Sequence, residues 1–283
     1  MIAQQEITAW RKHAPWSNDL MVEQDYLISK AVAAIFRDRY LASQVAMRGG
    51  TVLHKGHLRP AVRYSEDIDL VLTGTAKPGH IKKAIHRVLR PLLGKPAESM
   101  LVLVNLAIRN FVSSSKILRE QYTYEPTSND AAHATLKIEV NLNENKRVFP
   151  LVSVPILVPH ESGVPEYVNV VSYDLNEMLG TKLRALLQRE HGRDLFDMWH
   201  ASYFTRQPNS AHTLDPALVA KAFHFYMEQE NSQFTQAQIE AALVRRMASP
   251  KFRNDMAGYL AQDRTYSIDD AHRDFAATYL PHL

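Results

Sequence analysis

Residues 65–70 read Ser65-Glu66-Asp67-Ile68-Asp69-Leu70, and this alternation of polar and apolar side chains decides how the chain is read. On a β-strand successive side chains point to opposite faces, so Ser65, Asp67 and Asp69 share one face. Glu66, Ile68 and Leu70 take the other, where Ile68 and Leu70 can bury against helices. The two aspartates stand about 7 Å apart along the backbone and repel each other when both are ionised. A divalent cation between them removes that penalty. A lone D-x-D equally fits the solvent face of an edge strand, so its neighbours must decide.

Upstream, Arg48-Gly49-Gly50-Thr51 follows the apolar run Val45-Ala46-Met47 and leads into a second apolar stretch, the pattern of a strand-turn-helix junction. Glycines there let the backbone approach a phosphate, and a helix N-terminus offers unpaired N–H donors. Downstream, Thr135-Leu136-Lys137-Ile138-Glu139-Val140-Asn141 alternates in the same way and sets Glu139 opposite Ile138 and Val140. If this strand lies beside the first, Asp67, Asp69 and Glu139 converge. Three oxygen ligands suit Mg²⁺ or Mn²⁺ and can build a two-metal site. A phosphate turn, a D-x-D strand and a third acid together are the parts that phosphoryl or nucleotidyl transfer requires.

The rest of the chain supplies a frame for this centre. With 283 residues, 46% of them apolar and 22% charged, the chain can bury a large core and is not disordered. No run of 18 apolar residues exists, which excludes a membrane span, and MIAQQEITAWRKHAPW lacks the apolar region of a secretory signal. The cytoplasm is the expected compartment. Zero cysteines exclude disulfides, thiolate metal sites and a cysteine nucleophile. The net charge of +3 permits a polyanionic partner without demanding one. Ser17-Asn18-Asp19 caps a long helix beginning at Leu20, and IKKAIHRVLRPLL reads as a helix stopping near Pro91. LVLVNLAIRNFV, ILREQYTY, ATLKIEVNL and FPLVSVPILV read as strands. Prolines at 150, 155, 159 and 165 mark a boundary, and everything after about residue 172 reads helical. The expected class is α+β and bilobed: a mixed sheet in residues 1–165 and a helical lobe in 166–283.

With these parts in place the chain resembles the DNA polymerase β-type nucleotidyltransferase superfamily, whose pattern is a Gly-Gly or Gly-Ser turn followed by D-x-D or D-x-E. Within it, RGGTVLHKGHLRPAVRYSEDIDLVL is similar to the AbiEii/AbiGii toxin family, with its MenT-like members, which joins R-G-G-T to S-E-D-I-D-L. Sixteen residues separate Gly50 from Asp67 here. A second block about 115 residues further on, TKLRALLQREHGRDLFDMWH, is similar to the family's K-x-x-A-L…R-D-x-x-D segment. The resemblance implies a toxin with a cognate antitoxin and, since some members modify tRNA 3′ ends using a nucleoside triphosphate, tRNA as the leading acceptor. Carried over by residue, Asp67 and Asp69 bind metal, Gly49, Gly50 and Thr51 hold the triphosphate, and Ser65 sits beside the phosphates. Lys182 contacts the triphosphate, and Asp194 orients that lysine or an arginine.

Physics alone reads the second block less sharply. Leu179, Leu183, Leu186 and Leu187 form the buried stripe of a helix, and Lys182 and Arg189, seven apart, share another face that can line a cleft. Gly192 is expected to end this helix. Arg193 and Asp197, at i,i+4, can form a surface pair of about 0.3–0.5 kcal/mol. His54 and His57 form H-x-x-H without the H-E-x-x-H context of a zinc site. Trp10, Trp16 and Trp199 are read as packing residues. The expected reaction is attack of an acceptor hydroxyl on the α-phosphate of a nucleoside triphosphate, with basic residues such as Arg184 and Arg189 holding acceptor RNA. The rivals are a small-molecule transferase of the antibiotic-inactivating kind, which needs an acidic acceptor cleft, and a non-catalytic RNA-binding module.

Overall fold

A computed structural model describes residues 4–108, 111–127 and 131–283. Its centre is a seven-stranded mixed sheet in the order β3-β4-β5-β2-β1-β7-β6. The strands are β1 (Val45–Arg48), β2 (Asp67–Leu72), β3 (Glu98–Ile108), β4 (Phe111–Tyr124), β5 (Ala134–Asn141), β6 (Val152–Val158) and β7 (Glu166–Ser172). The expected α+β class is found. Strand β7 follows residue 165 in sequence yet lies between β1 and β6, so the sheet draws a strand from beyond the proline-rich boundary. The apolar run at 101–112 spans the end of β3 and the start of β4, which pair antiparallel; its residues 109 and 110 lie outside the described residues.

Period-two patterning gives the sheet one dry face. In β2, Ile68 and Leu70 are buried while Asp67 and Asp69 stay partly accessible; in β5, Leu136, Ile138 and Val140 are buried. Helices α2 (Asp19–Arg37) and α5 (Pro78–Leu93) cover that face, α2 running past β2, β5, β6 and β7. The expected cap is present, since the side chain of Asn18 accepts from the Met21 N–H. Helix α5 runs two residues past Pro91 and ends at Gly94, which adopts a φ of +72°. A proline in the last turn removes one hydrogen bond and leaves the turn standing. A short helix, α1 (Gln4–Trp10), precedes α2, and α3 (Arg39–Gln44) links α2 to β1.

Beyond β7 the chain is helical: α6 (Leu175–Gln188), α7 (Gly192–Thr205), α8 (Pro216–Gln229), α9 (Gln236–Met247), α10 (Pro250–Asn254) and α11 (Ile268–Thr278). Leu179, Leu183, Leu186 and Leu187 are buried as the stripe required. The same apolar core runs from Ile28 and Ile68 through Leu183 to Phe275, so sheet and helices share one interior. Gly192 begins α7 rather than ending α6. A Cβ there would lie 2.1 Å from the Phe252 carbonyl oxygen, so the glycine serves a close approach between α7 and α10.

Candidate active site

Strand register builds the site. Arg48 on β1 stands opposite Asp69 on β2, Asp69 opposite Glu139 on β5, and Glu139 opposite Arg119 on β4. One rung across four strands therefore reads Arg-Asp-Glu-Arg. Two residues earlier on the same strands, Asp67 stands against Lys137. Arg119 Nε donates to Glu139 Oε1 at 2.7 Å, and Lys137 Nζ lies 3.0 Å from Asp67 Oδ2. Burial first, and then Asp69, pushes Asp67 up to about 6. Burial first, and then Glu139, raises Asp69 as well. Both shifts mark carboxylates withdrawn from water and set beside a second acid.

The glycine turn is pressed onto this rung. After Arg48 the chain enters α4 (Gly49–Val52) and continues through a π-helical turn over Leu53–His57. Gly49 holds φ at +83°, and a Cβ on it would lie 2.1 Å from Asp69 Oδ2. A Cβ on Gly50 would lie 2.6 Å from an Arg63 guanidinium nitrogen and 2.9 Å from Ser65 Oγ. Thr51 is fully buried, and its hydroxyl donates to the Asp67 carbonyl at 2.6 Å. That bond ties the turn to β2 and leaves the Thr51 hydroxyl engaged within the protein.

The helical half faces the rung with cations. A cavity of about 290 Å³ is lined on the sheet side by Arg48, Gly49, Asp69, Arg119 and Glu139, and on the α6 side by Lys182, Arg184 and Arg189. Lys182 is only 7% exposed, and its Nζ lies 3.2 Å from Asp194 and 2.7 Å from Asp197. Arg189 grips Asp194 at 2.7 and 2.9 Å. Arg184 is spoken for by Glu144 and Glu230, both at 3.0 Å, so it is not free to hold acceptor phosphates as expected.

Asp197 is not the surface residue that its spacing from Arg193 implied. It is fully buried and bound by Arg63 through two bonds of 2.7 Å, with His54 Nε2 also at 2.7 Å. Burial opposes its charge, but Arg63, Lys182 and His54 outweigh it and hold the carboxyl well below its ordinary value. Arg193 turns instead to Asp255, at 3.7 Å. The chain Arg63–Asp197–Lys182–Asp194–Arg189 thus runs from beneath the glycine turn to the mouth of the cavity. His57 lies 3.2 Å from Ser172 Oγ while His54 is engaged by Asp197, so the two imidazoles of H-x-x-H take separate partners. Trp10 and Trp16 both donate to the buried Asp25, at 2.8 and 3.1 Å, as packing residues.

Among the described residues no three His, Asp or Glu side chains gather as a ready cation cage. The donor chemistry nevertheless fits a hard divalent ion. Asp69 and Glu139 are cross-strand partners, Asp67 shares their face, and both aspartates are raised by burial and then by a neighbouring acid, a penalty that a cation offsets. Lys137 and Arg119 supply part of that charge, and Asp67 and Glu139 must release them to join Asp69.

A family described as the nucleotidyl transferase AbiEii toxin of type IV toxin–antitoxin systems matches residues 30–276. The chain belongs to this family. Among solved structures it is similar to MenT4, a nucleotidyltransferase toxin from Mycobacterium tuberculosis, with 12% identity and a TM-score of 0.49 over 99% of this chain and 100% of that one. It is also similar to a cyclic dinucleotide synthase, CdnE of Elizabethkingia meningoseptica, with 11% identity and a TM-score of 0.27 over 96% and 95% of the two chains. No curated protein sequence matches. As an AbiEii-family member the chain is a nucleotidyltransferase of the toxin type. No helix is long and apolar enough to cross a membrane among the described residues. Sequence reading missed Arg48, Arg63, Arg119 and Asp197. The available signals were the family block's second aspartate and the position of Arg63 two residues before Ser65.

Proposed function

We propose that this cavity transfers a nucleoside monophosphate from a nucleoside triphosphate to the 3′ hydroxyl of an acceptor RNA, most readily a tRNA, with release of pyrophosphate. The single observation that carries the reading is the Arg48-Asp69-Glu139-Arg119 rung, with the Gly49 turn against it and Lys182 across the cavity. The strands before residue 165 supply the carboxylates and the turn, and the helices that follow β7 supply Lys182 and Asp194. Asp67, Asp69 and Glu139 are the residues that would hold Mg²⁺ or Mn²⁺. That ion, when bound, lowers the pKa of the attacking hydroxyl and screens the phosphate charge. Gly49 and Gly50, with Ser65 beside them, let the triphosphate approach the backbone, and Thr51 fixes the turn that presents them. Lys182, oriented by Asp194, neutralises charge developing on the leaving pyrophosphate.

The lining favours a polyanion over a cationic small molecule. Even with Arg184 set aside as paired to Glu144 and Glu230, the wall keeps Arg48, Arg119, Lys182 and Arg189 around Asp69 and Glu139. The family's toxin–antitoxin setting supports a cognate antitoxin, and the proposed substrates go with a cytoplasmic reaction. Incubation with each α-labelled nucleoside triphosphate, total RNA and total protein tests the reading. Label in a tRNA-sized band that depends on Mg²⁺ and on Asp69 is expected. Label confined to protein, or to a small-molecule product, overturns the RNA acceptor.

A further inference from the structure

A second, larger cavity of about 430 Å³ shares no lining residue with the first. It lies at the other end of the β6–β7 hairpin. Ser172, beside Met47 on β1, closes the catalytic end, whereas Tyr167 pairs with Leu157 five residues away. At about 3.3 Å per residue that is roughly 16 Å. The cavity is framed by Trp10, Lys12, His13, Lys55, Arg59 and Tyr167, and none of its nine lining residues is acidic. Its volume falls within the roughly 300–1,000 Å³ of small-ligand sites.

Its charge is only partly answered within the protein. Lys55 pairs with the buried Asp25 at 2.6 Å, behind the wall. Among the described residues, no carboxylate lies within ion-pair distance of Lys12 or Arg59, and both are exposed. The Arg59 guanidinium sits 5.1 Å over the ring of Tyr167, which is itself 60% exposed. His13 Nε2 is shielded from solvent and lacks a hydrogen-bond partner. Burial first, and then Lys12 and Lys55, lowers the His13 pKa. Like charges gathered in a concave wall gain from an anion, and an arginine–tyrosine pair offers flat surfaces on which a base stacks.

We propose that this cavity binds a nucleotide unit, its phosphate held by Lys12, Lys55 and Arg59 and its base placed on the Arg59–Tyr167 pair. The unit is either a free nucleoside triphosphate or one residue of an RNA strand. The site stands apart from the catalytic reading because its occupancy is measured without turnover.

The test uses the full chain carrying Asp67→Asn and Asp69→Asn, which silences transfer, with and without Lys12→Ala and Arg59→Ala. ATP stoichiometry is measured by equilibrium dialysis without divalent ions, and affinity for a fluorescein-labelled single-stranded RNA 12-mer by anisotropy. Both added substitutions are at exposed positions, and a melting curve checks that they leave the fold intact. At least a tenfold loss of RNA affinity, with a salt slope reduced by about 0.7 for the one phosphate the site holds, identifies an RNA unit. Loss of one bound ATP identifies a free nucleotide. Unchanged RNA affinity and unchanged ATP stoichiometry overturn the site. Should the alanine pair disturb folding, Lys12→Gln with Arg59→Gln carries the same comparison. Failure of the catalytic reading shows separately, as transfer surviving in the Asp67/Asp69 variant.

Discussion

Gly49 and Asp69 are so close that a single added methyl group on the glycine would lie 2.1 Å from the carboxylate oxygen Oδ2. The backbone of the turn therefore lies directly against the carboxylate at the centre of the charged rung. Gly49 also holds a φ of +83°, which L side chains adopt at a cost of roughly 1–2 kcal/mol. Turn and carboxylate are placed as one unit, and displacing either moves the other.

Gly49→Ala is accordingly expected to lower nucleotidyl transfer at least a hundredfold and the melting temperature by several degrees. Misplacement by about 1 Å is enough for a loss of that order. Full activity in Gly49→Ala would remove the turn from the site.

Asp67→Asn is expected to abolish transfer while stabilising the ion-free protein at neutral pH. Asp67 is raised from 3.8 to about 6 in the folded chain. The folded state then binds the proton more tightly than the unfolded state, so stability falls as pH rises from about 4 to 6. Asparagine removes that slope. Melting temperatures in chelator should show the variant above wild type at pH 8 and level with it below pH 4; the opposite order would mean that Asp67 is satisfied by Lys137 alone. Mg²⁺ should raise the wild-type melting temperature at pH 8 and leave the variant nearly unmoved.

Arg63→Met is expected to cost about 3–5 kcal/mol, because it strips the two-bond partner from a fully buried carboxylate at Asp197. Arg193→Ala, which loses a looser contact with Asp255, should stay within about 0.5 kcal/mol. Denaturant titration of the two variants separates the buried pairing from the surface one. Equal costs would contradict it.

Lys182→Met is expected to reduce kcat at saturating substrates more than it raises either KM, as befits charge that is felt as pyrophosphate leaves. Arg184→Ala should act through stability instead, since it frees the carboxylates of Glu144 and Glu230. If Lys182→Met raised only a KM, its place opposite the rung would be one of binding alone.

Glu144 predicts part of the acid response. Burial works against its charge, but Arg48 and Arg184 outweigh this and pull its pKa from 4.5 to about 2. Its stabilisation is complete above pH 4.5 and is lost as pH falls toward 2. Glu144→Gln should therefore be destabilised by about 3–5 kcal/mol at pH 7, with the gap to wild type closing below about pH 2. A gap that persisted at low pH would point to packing rather than charge.

Local pattern carried much of this protein into view. Side-chain alternation alone put Asp67 and Asp69 on one strand face, helical periodicity buried Leu179 and Leu183, and Asn18 announced the start of α2, because each rests on neighbours within a turn or a strand. Glu139 needed one step more: its alternation was legible, but its pairing with Asp69 depends on β5 lying beside β2. Partners distant in sequence left no such trace. Arg63 and Asp197 are 134 residues apart, and the i,i+4 spacing of Asp197 from Arg193 pointed to the wrong arginine. Sequence by itself determined the strand faces, the helix stripes and the kinds of charged group available. Tertiary structure alone decided which charges meet, because strand order and the packing of α6 and α7 against the sheet choose each buried ion's partner. For a charge removed from water, that choice decides whether its position is stable.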